Sequence, residues 1–80
     1  MQDRLIDLKL NQSAIIIDIA TPDEIEERLH SLGVIEGLKI RFVKATPLGD
    51  PLIYQVINAY IAIRKDLAEN IIIELIDEKR

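Results

Sequence analysis

The sequence predicts a mostly β fold: a small five-stranded barrel with one α-helix inserted after the first strand. Three observations carry this reading. Sixteen of the eighty residues are isoleucine, a side chain stiff at its first torsion that packs well on a pleated surface. Leu38, Ile40 and Phe42 alternate with Lys39, Arg41 and Val43, the period of a half-buried strand. Only one stretch, Thr21 to Gly33, carries both a helix start and a helix stop.

Taken in order, Leu5-Ile6-Asp7-Leu8 is an apolar lead-in, closed by the polar break Asn11-Gln12-Ser13. Ala14 to Ile19 is the first strand, and its Ile15-Ile16-Ile17 run implies cover on both faces. Thr21 is placed to cap the helix, with Pro22 at the first helical position and Glu24 completing a capping box. Ala20 and Ile25 are spaced to staple that box, and Ile25, Leu29 and Leu32 form one apolar stripe. Gly33 supplies a left-handed stop, so the helix spans about Pro22 to Leu32. Two prolines and a glycine make Thr46 to Pro51 an ordered loop. Leu52 to Ile57 and Ala59 to Arg64 are two strands joined through Asn58, which tolerates the left-handed turn conformation. Lys65 to Glu69 makes one helical turn, Asn70 to Ile76 the last strand, and Asp77 to Arg80 a charged tail. Closing these strands into a barrel removes the apolar edges they would otherwise expose.

Composition narrows the function. Eighty residues make a single domain over 1–80, which buries only about 60% of its unfolded surface. The absence of cysteine excludes a disulfide scaffold and any thiolate metal site. The N-terminus carries no leader pattern and no apolar run is long enough to span a bilayer, so a cytoplasmic protein without membrane insertion is expected. A net charge of −4 argues against nucleic acid. Lys39, Arg41, Lys44, Arg64 and Lys65 can gather on one barrel face, but acidic residues dominate elsewhere and no aromatics interleave with these bases.

Three pieces of the chain resemble a known family. Arg28-Leu29-His30-Ser31-Leu32-Gly33-Val34-Ile35-Glu36-Gly37 resembles the Arg-Leu-x-x-Leu-Gly-x-x-Pro-Gly signature of the FeoA family. Pro47-Leu48-Gly49-Asp50-Pro51 resembles its central loop, and Ile61-Ala62-Ile63-Arg64 with Ala68 and Ile71 its closing segment. The resemblance runs from about Leu5 to Leu75, with Glu36 in place of the usual proline, Thr46 of alanine and Asn58 of glycine. It implies an SH3-like barrel and a cytosolic accessory of bacterial ferrous-iron uptake. The implied partner is FeoB, a membrane transporter with a cytoplasmic GTP-binding part. It implies no catalytic group. A related SH3-like domain ends some iron-dependent repressors behind a helix-turn-helix, which this chain has no room for.

The candidate site residues are few. Pro47, Leu48, Gly49, Asp50 and Pro51 form the expected partner-binding loop, since a proline-stiffened segment loses little entropy on binding. Arg28 and Arg64 join it as the residues able to offer a guanidinium to a GTP-binding partner. Against that, Arg28 suits the negative end of its helix and Arg64 has Asp66 and Glu69 nearby to pair with. Glu26 and His30, at i and i+4, fill two positions of a weak transition-metal site for Fe2+ or Zn2+. A solvated helix face is the simpler account of that pair, and no cofactor is required. Gly33, Gly37 and Gly49 match no phosphate-binding spacing and read as turn glycines. Ile16, Ile35, Leu48, Ile72 and Ile76 fall off the expected core face or in loops; clustered, they suit a partner or a homodimer. The second functional reading is therefore a metal-sensing module that oligomerises when occupied.

Overall fold

The computed structural model describes residues 3–76, and the charged tail Asp77 to Arg80 lies outside them. The elements run β1 (Asp3–Arg4), a 3₁₀ turn (Leu5–Asp7), β2 (Ser13–Ile19), α1 (Asp23–Ser31), β3 (Lys39–Ala45), β4 (Leu52–Val56), β5 (Ala59–Ile63), α2 (Lys65–Ala68) and β6 (Ile71–Leu75). All six strands pair antiparallel in one sheet of order β1-β6-β2-β3-β4-β5. The five expected strands are present, and β1 adds a sixth by pairing Asp3 with Ile73 and Arg4 with Ile72. The sheet curls until the Tyr54 hydroxyl of β4 donates to the Leu5 carbonyl just beyond β1, at 3.4 Å.

Alternation places the core. In β4, Leu52, Tyr54 and Val56 point inward; in β5 Ile61 and Ile63, and in β6 Ile71 and Ile73, do the same. Phe42 lies against Tyr54 with ring centroids 5.3 Å apart, the one aromatic pair of this aliphatic interior.

Strand β2 departs from the expected faces. Ile16 is fully buried opposite Ile73, on the same face as Ala14, and the register against β6 shifts only beyond it, between Ile16 and Asp18. A bulge inserts one residue, so Ala14 and Ile16 face inward before it and Ile19 after it. Parity counted through an unbroken strand therefore assigns Ile16 to the wrong side.

Helix α1 starts one residue later than its capping signals suggest. Ala20 donates its amide to the Asn70 carbonyl at 2.8 Å, holding the chain extended past β2. Pro22 then occupies the N-cap and its carbonyl accepts from the Ile25 and Glu26 amides. Thr21 is one position too early to cap, and its buried hydroxyl has no hydrogen-bond partner among the described residues. The stop is as expected. Gly33, at φ +101°, donates to the His30 carbonyl and Val34 to that of Leu29, the paired bonds of a Schellman turn. Reversal there leaves Leu32 exposed, and Val34 takes the buried place that the helical stripe assigned to it.

The β4–β5 hairpin turns on Ile57, not on Asn58: the left-handed residue is Ile57, at φ +57°. Such a conformation costs an L-residue about 1–2 kcal/mol, and a branched β-carbon makes it unusual. Ile57 is largely exposed, so little packing offsets that strain. Ile57→Gly removes it, less the greater chain entropy of glycine. The expected gain is about 0.5–1 kcal/mol, read as a higher urea midpoint at unchanged m-value; a lower midpoint refutes the strain.

Tyr54 generates a second prediction. Burial pushes its phenol well above the ordinary value of about 10. The folded state thus favours the neutral ring: the full stability is present below pH 10 and is lost as pH rises beyond it. Relative to Tyr54→Phe, the wild type should lose up to about 1.4 kcal/mol per pH unit above about pH 10. Parallel urea titrations of both proteins measure this, and identical alkaline profiles would exclude it.

Candidate functional site

Two surfaces carry chemistry, on opposite faces of α1. At 100° per residue, Glu26 and His30 share one face, and Glu24 and Arg28 lie roughly half a turn around from it.

The second of these faces borders α2. Glu24, Ile25 and Arg28 of α1, with Arg64 and Leu67, line a shallow groove, so the two arginines singled out in the sequence are brought to one place. Arg64 is already engaged: its Nε and Nη2 donate to the Asp66 carboxylate at 3.2 and 2.9 Å. That guanidinium holds the Asp66 carboxyl below the usual carboxylate range. The exposed pair adds little to stability, and it fixes the direction of the guanidinium.

The Pro47–Pro51 loop adjoins the groove. Thr46 Oγ1 donates to the Pro51 carbonyl at 2.9 Å, and Gly49, at φ +86°, donates its amide to the Thr46 carbonyl at 2.8 Å. Asp50 Oδ1 accepts the Lys65 amide at 3.1 Å, tying the loop to the first turn of α2. This bracing holds up Leu48, which is 94% exposed, the most solvent-facing large apolar residue among those described. Of the other expected surface residues, Ile35 is exposed and Ile72 and Ile76 are half-buried. Lys39 and Arg41 lie apart from the loop and groove, in a cleft with Gln55 and Ile57, and Arg41 donates to Asn11 and Gln55.

The first face holds a cluster. His30 Nε2 lies 3.0 Å from Glu36 Oε1 and 3.7 Å from Glu26 Oε2. The Glu26/His30 pair therefore exists as spaced, and Glu36, from the turn between α1 and β3, completes it to three. Periodicity along the helix could not reveal Glu36, which lies beyond the helix stop. The one available signal was its standing where the family signature has proline. A hydrogen bond from its own backbone amide holds the Glu36 carboxyl below the usual range, aided by the His30 ring and opposed by burial.

A curled antiparallel sheet that presents a braced loop and a groove, with α1 inserted between β2 and β3, defines a small SH3-like domain. The FeoA domain profile matches residues 4–75, and the chain belongs to the FeoA family. It is 29% identical over 73 residues, 91% of its length, to the Fe(2+) transport protein A/Fe(2+) transporter FeoB fusion protein of Porphyromonas gingivalis. It spans only 9% of that protein's length. Among solved structures, it is similar to the FeoA protein of Chlorobium tepidum, with a TM-score of 0.88 at 26% identity, over 98% of this chain and 74% of that one. It is also similar to Stenotrophomonas maltophilia FeoA complexed with zinc, described as a prokaryotic SH3 domain protein. There the TM-score is 0.72 at 32% identity, over 90% of this chain and 89% of that one. The association of the family with ferrous iron transport agrees with the resemblance read from the three sequence pieces.

The bracing of the loop is testable by itself. Asp50→Ala leaves the Lys65 amide without its acceptor and should cost about 1 kcal/mol. Leu48→Ala removes only solvated surface and should stay within about 0.5 kcal/mol. Urea unfolding of the two variants separates them; equal effects would mean that Asp50 does not brace the loop.

Proposed function

We propose that this chain is a cytoplasmic accessory of bacterial ferrous-iron uptake that binds the cytoplasmic GTP-binding part of a FeoB-type transporter and catalyses no reaction itself. The observation that carries the reading is the fusion relative. A protein similar to 91% of this chain has Fe(2+) transport protein A and FeoB in its name as one polypeptide. Fusion keeps two partners at high effective concentration, whereas separate chains must meet through affinity of their own. No helix among the described residues is long and apolar enough to cross a membrane, and the net charge of −4 disfavours nucleic acid.

The contact is assigned to Leu48 and its loop, with Arg28 and Arg64 alongside. An exposed apolar side chain on a braced loop anchors a partner with little loss of chain entropy. Arg64 acts there as a contact residue whose direction Asp66 sets. Calorimetry against the cytoplasmic part of the cognate FeoB, with GDP and with a non-hydrolysable GTP analogue, tests the reading. Binding is expected in at least one nucleotide state, weakened about tenfold or more by Leu48→Glu. Absence of binding in every state overturns the proposed partner, and full affinity in Leu48→Glu overturns the assigned surface.

A further inference from the structure

We propose that Glu26, His30 and Glu36 form a site for one divalent transition-metal ion of the Fe2+ and Zn2+ class, with water completing the coordination. This stands apart from the FeoB reading, and neither depends on the other.

The geometry comes first. One ligand atom from each residue can be chosen so that all three lie within 4.8 Å of one another. The two separations from His30 Nε2 are 3.0 and 3.7 Å. Ligands bound at about 2.0–2.2 Å are roughly 3.0 Å apart along an octahedral edge and roughly 3.4 Å apart along a tetrahedral one. These two separations bracket both lengths, and the two carboxylate oxygens, within 4.8 Å of each other, turn toward a common ion to complete the set.

The donor set selects the metal. Imidazole nitrogen suits zinc and iron and is foreign to the all-oxygen shells of calcium and magnesium. Two carboxylates with one neutral imidazole carry a charge of −2, which a divalent ion cancels. Nε2 holds at most one proton, and Glu36 at 3.0 Å is within hydrogen-bond reach whereas Glu26 at 3.7 Å is not. A single ion would serve both carboxylates and the ring together.

The backbone holds the ligands in place beforehand. Glu26 and His30 are one turn apart on α1. The Schellman turn at Gly33 and the burial of Val34 fix the exit from that helix. Gly37 then donates its amide to the Ile16 carbonyl at 2.7 Å, and Ile16 donates to the Leu38 carbonyl at 3.0 Å, locking the segment that carries Glu36 onto β2. The three side chains remain 30–39% exposed, so water reaches the open positions and the ion can exchange. With proline at position 36, as in the family signature, there would be no third ligand; the site belongs to this chain.

His30 is the only histidine, which makes the test direct. The full chain without an affinity tag is titrated with Zn2+ while its imidazole resonances are followed by NMR, with calorimetry in parallel. The expected result is one equivalent bound, with the His30 ring signals moving to a saturated position. Glu36→Gln should lower the affinity about tenfold or more at an unchanged urea midpoint, and His30→Gln should abolish binding. Unmoved ring signals at saturating zinc overturn the site, as does full affinity in Glu36→Gln. Anaerobic titration with Fe2+ then asks whether the same signals broaden, and failure to compete with zinc there removes iron from the ligand class.

Discussion

The backbone of Ile16 is the joint on which the rest of the fold hangs. Strand β2 pairs with β6 along one edge and with β3 along the other, so it lies inside the sheet. At Ile16 the β3 edge is completed by the turn residues Gly37 and Leu38, bonded through both its carbonyl and its amide. The side chain meanwhile is fully buried in the core. One residue thus ties together the central strand, the segment leaving α1 and the hydrophobic interior. The bulge that follows it lets β2 present Ile19 to the same interior, which an unbroken strand would not do.

That arrangement suits a chain this small. With so little interior, the core must be filled by stiff side chains whose rotamers cost little to fix, and isoleucine meets that need. Tyr54 and Phe42 supply the only aromatic contact among the described residues, and Tyr54 joins β4 to the chain near β1, which the strand order places four strands away. A long hydrogen bond to the Leu5 carbonyl is what the phenol finds there; its burial counts for more than that bond does.

The strands and the helix stop were legible because they rest on local chemistry. Alternation in Leu38 to Val43, the prolines of the Thr46–Pro51 loop and the glycine at 33 each act within a few residues. What escaped was decided by partners distant in sequence. Thr21 lost its capping role because Asn70 holds Ala20 extended, and the register shift against β6 beyond Ile16 put Ile16 and Ile19 on one face. At the β4–β5 turn the left-handed conformation fell on Ile57, against local preference and in favour of strand pairing on both sides. The candidate surfaces divided the same way. The loop and the Glu26/His30 pair were visible as segments, whereas Glu36 joined that pair only through the fold of the turn.

Helix α1 explains how so small a domain carries two such surfaces. Of its nine residues only Leu29 is fully buried, with Ile25 packed partly against the core. A helix anchored by so narrow a stripe leaves most of its circumference free of packing constraints. Its acidic first turn complements the helix dipole, and the same acids extend to both faces: Glu24 toward the groove with Arg28, and Glu26 toward His30. The fixed points lie outside the helix. Asp50 and Asp66 set the geometry beside the groove, and the Ile16 joint sets that of Glu36. The sheet therefore supplies the precision, and the helix supplies side chains whose identity the fold does not dictate. That is the condition under which the side chain at position 36 can vary without disturbing the loop and groove around α2.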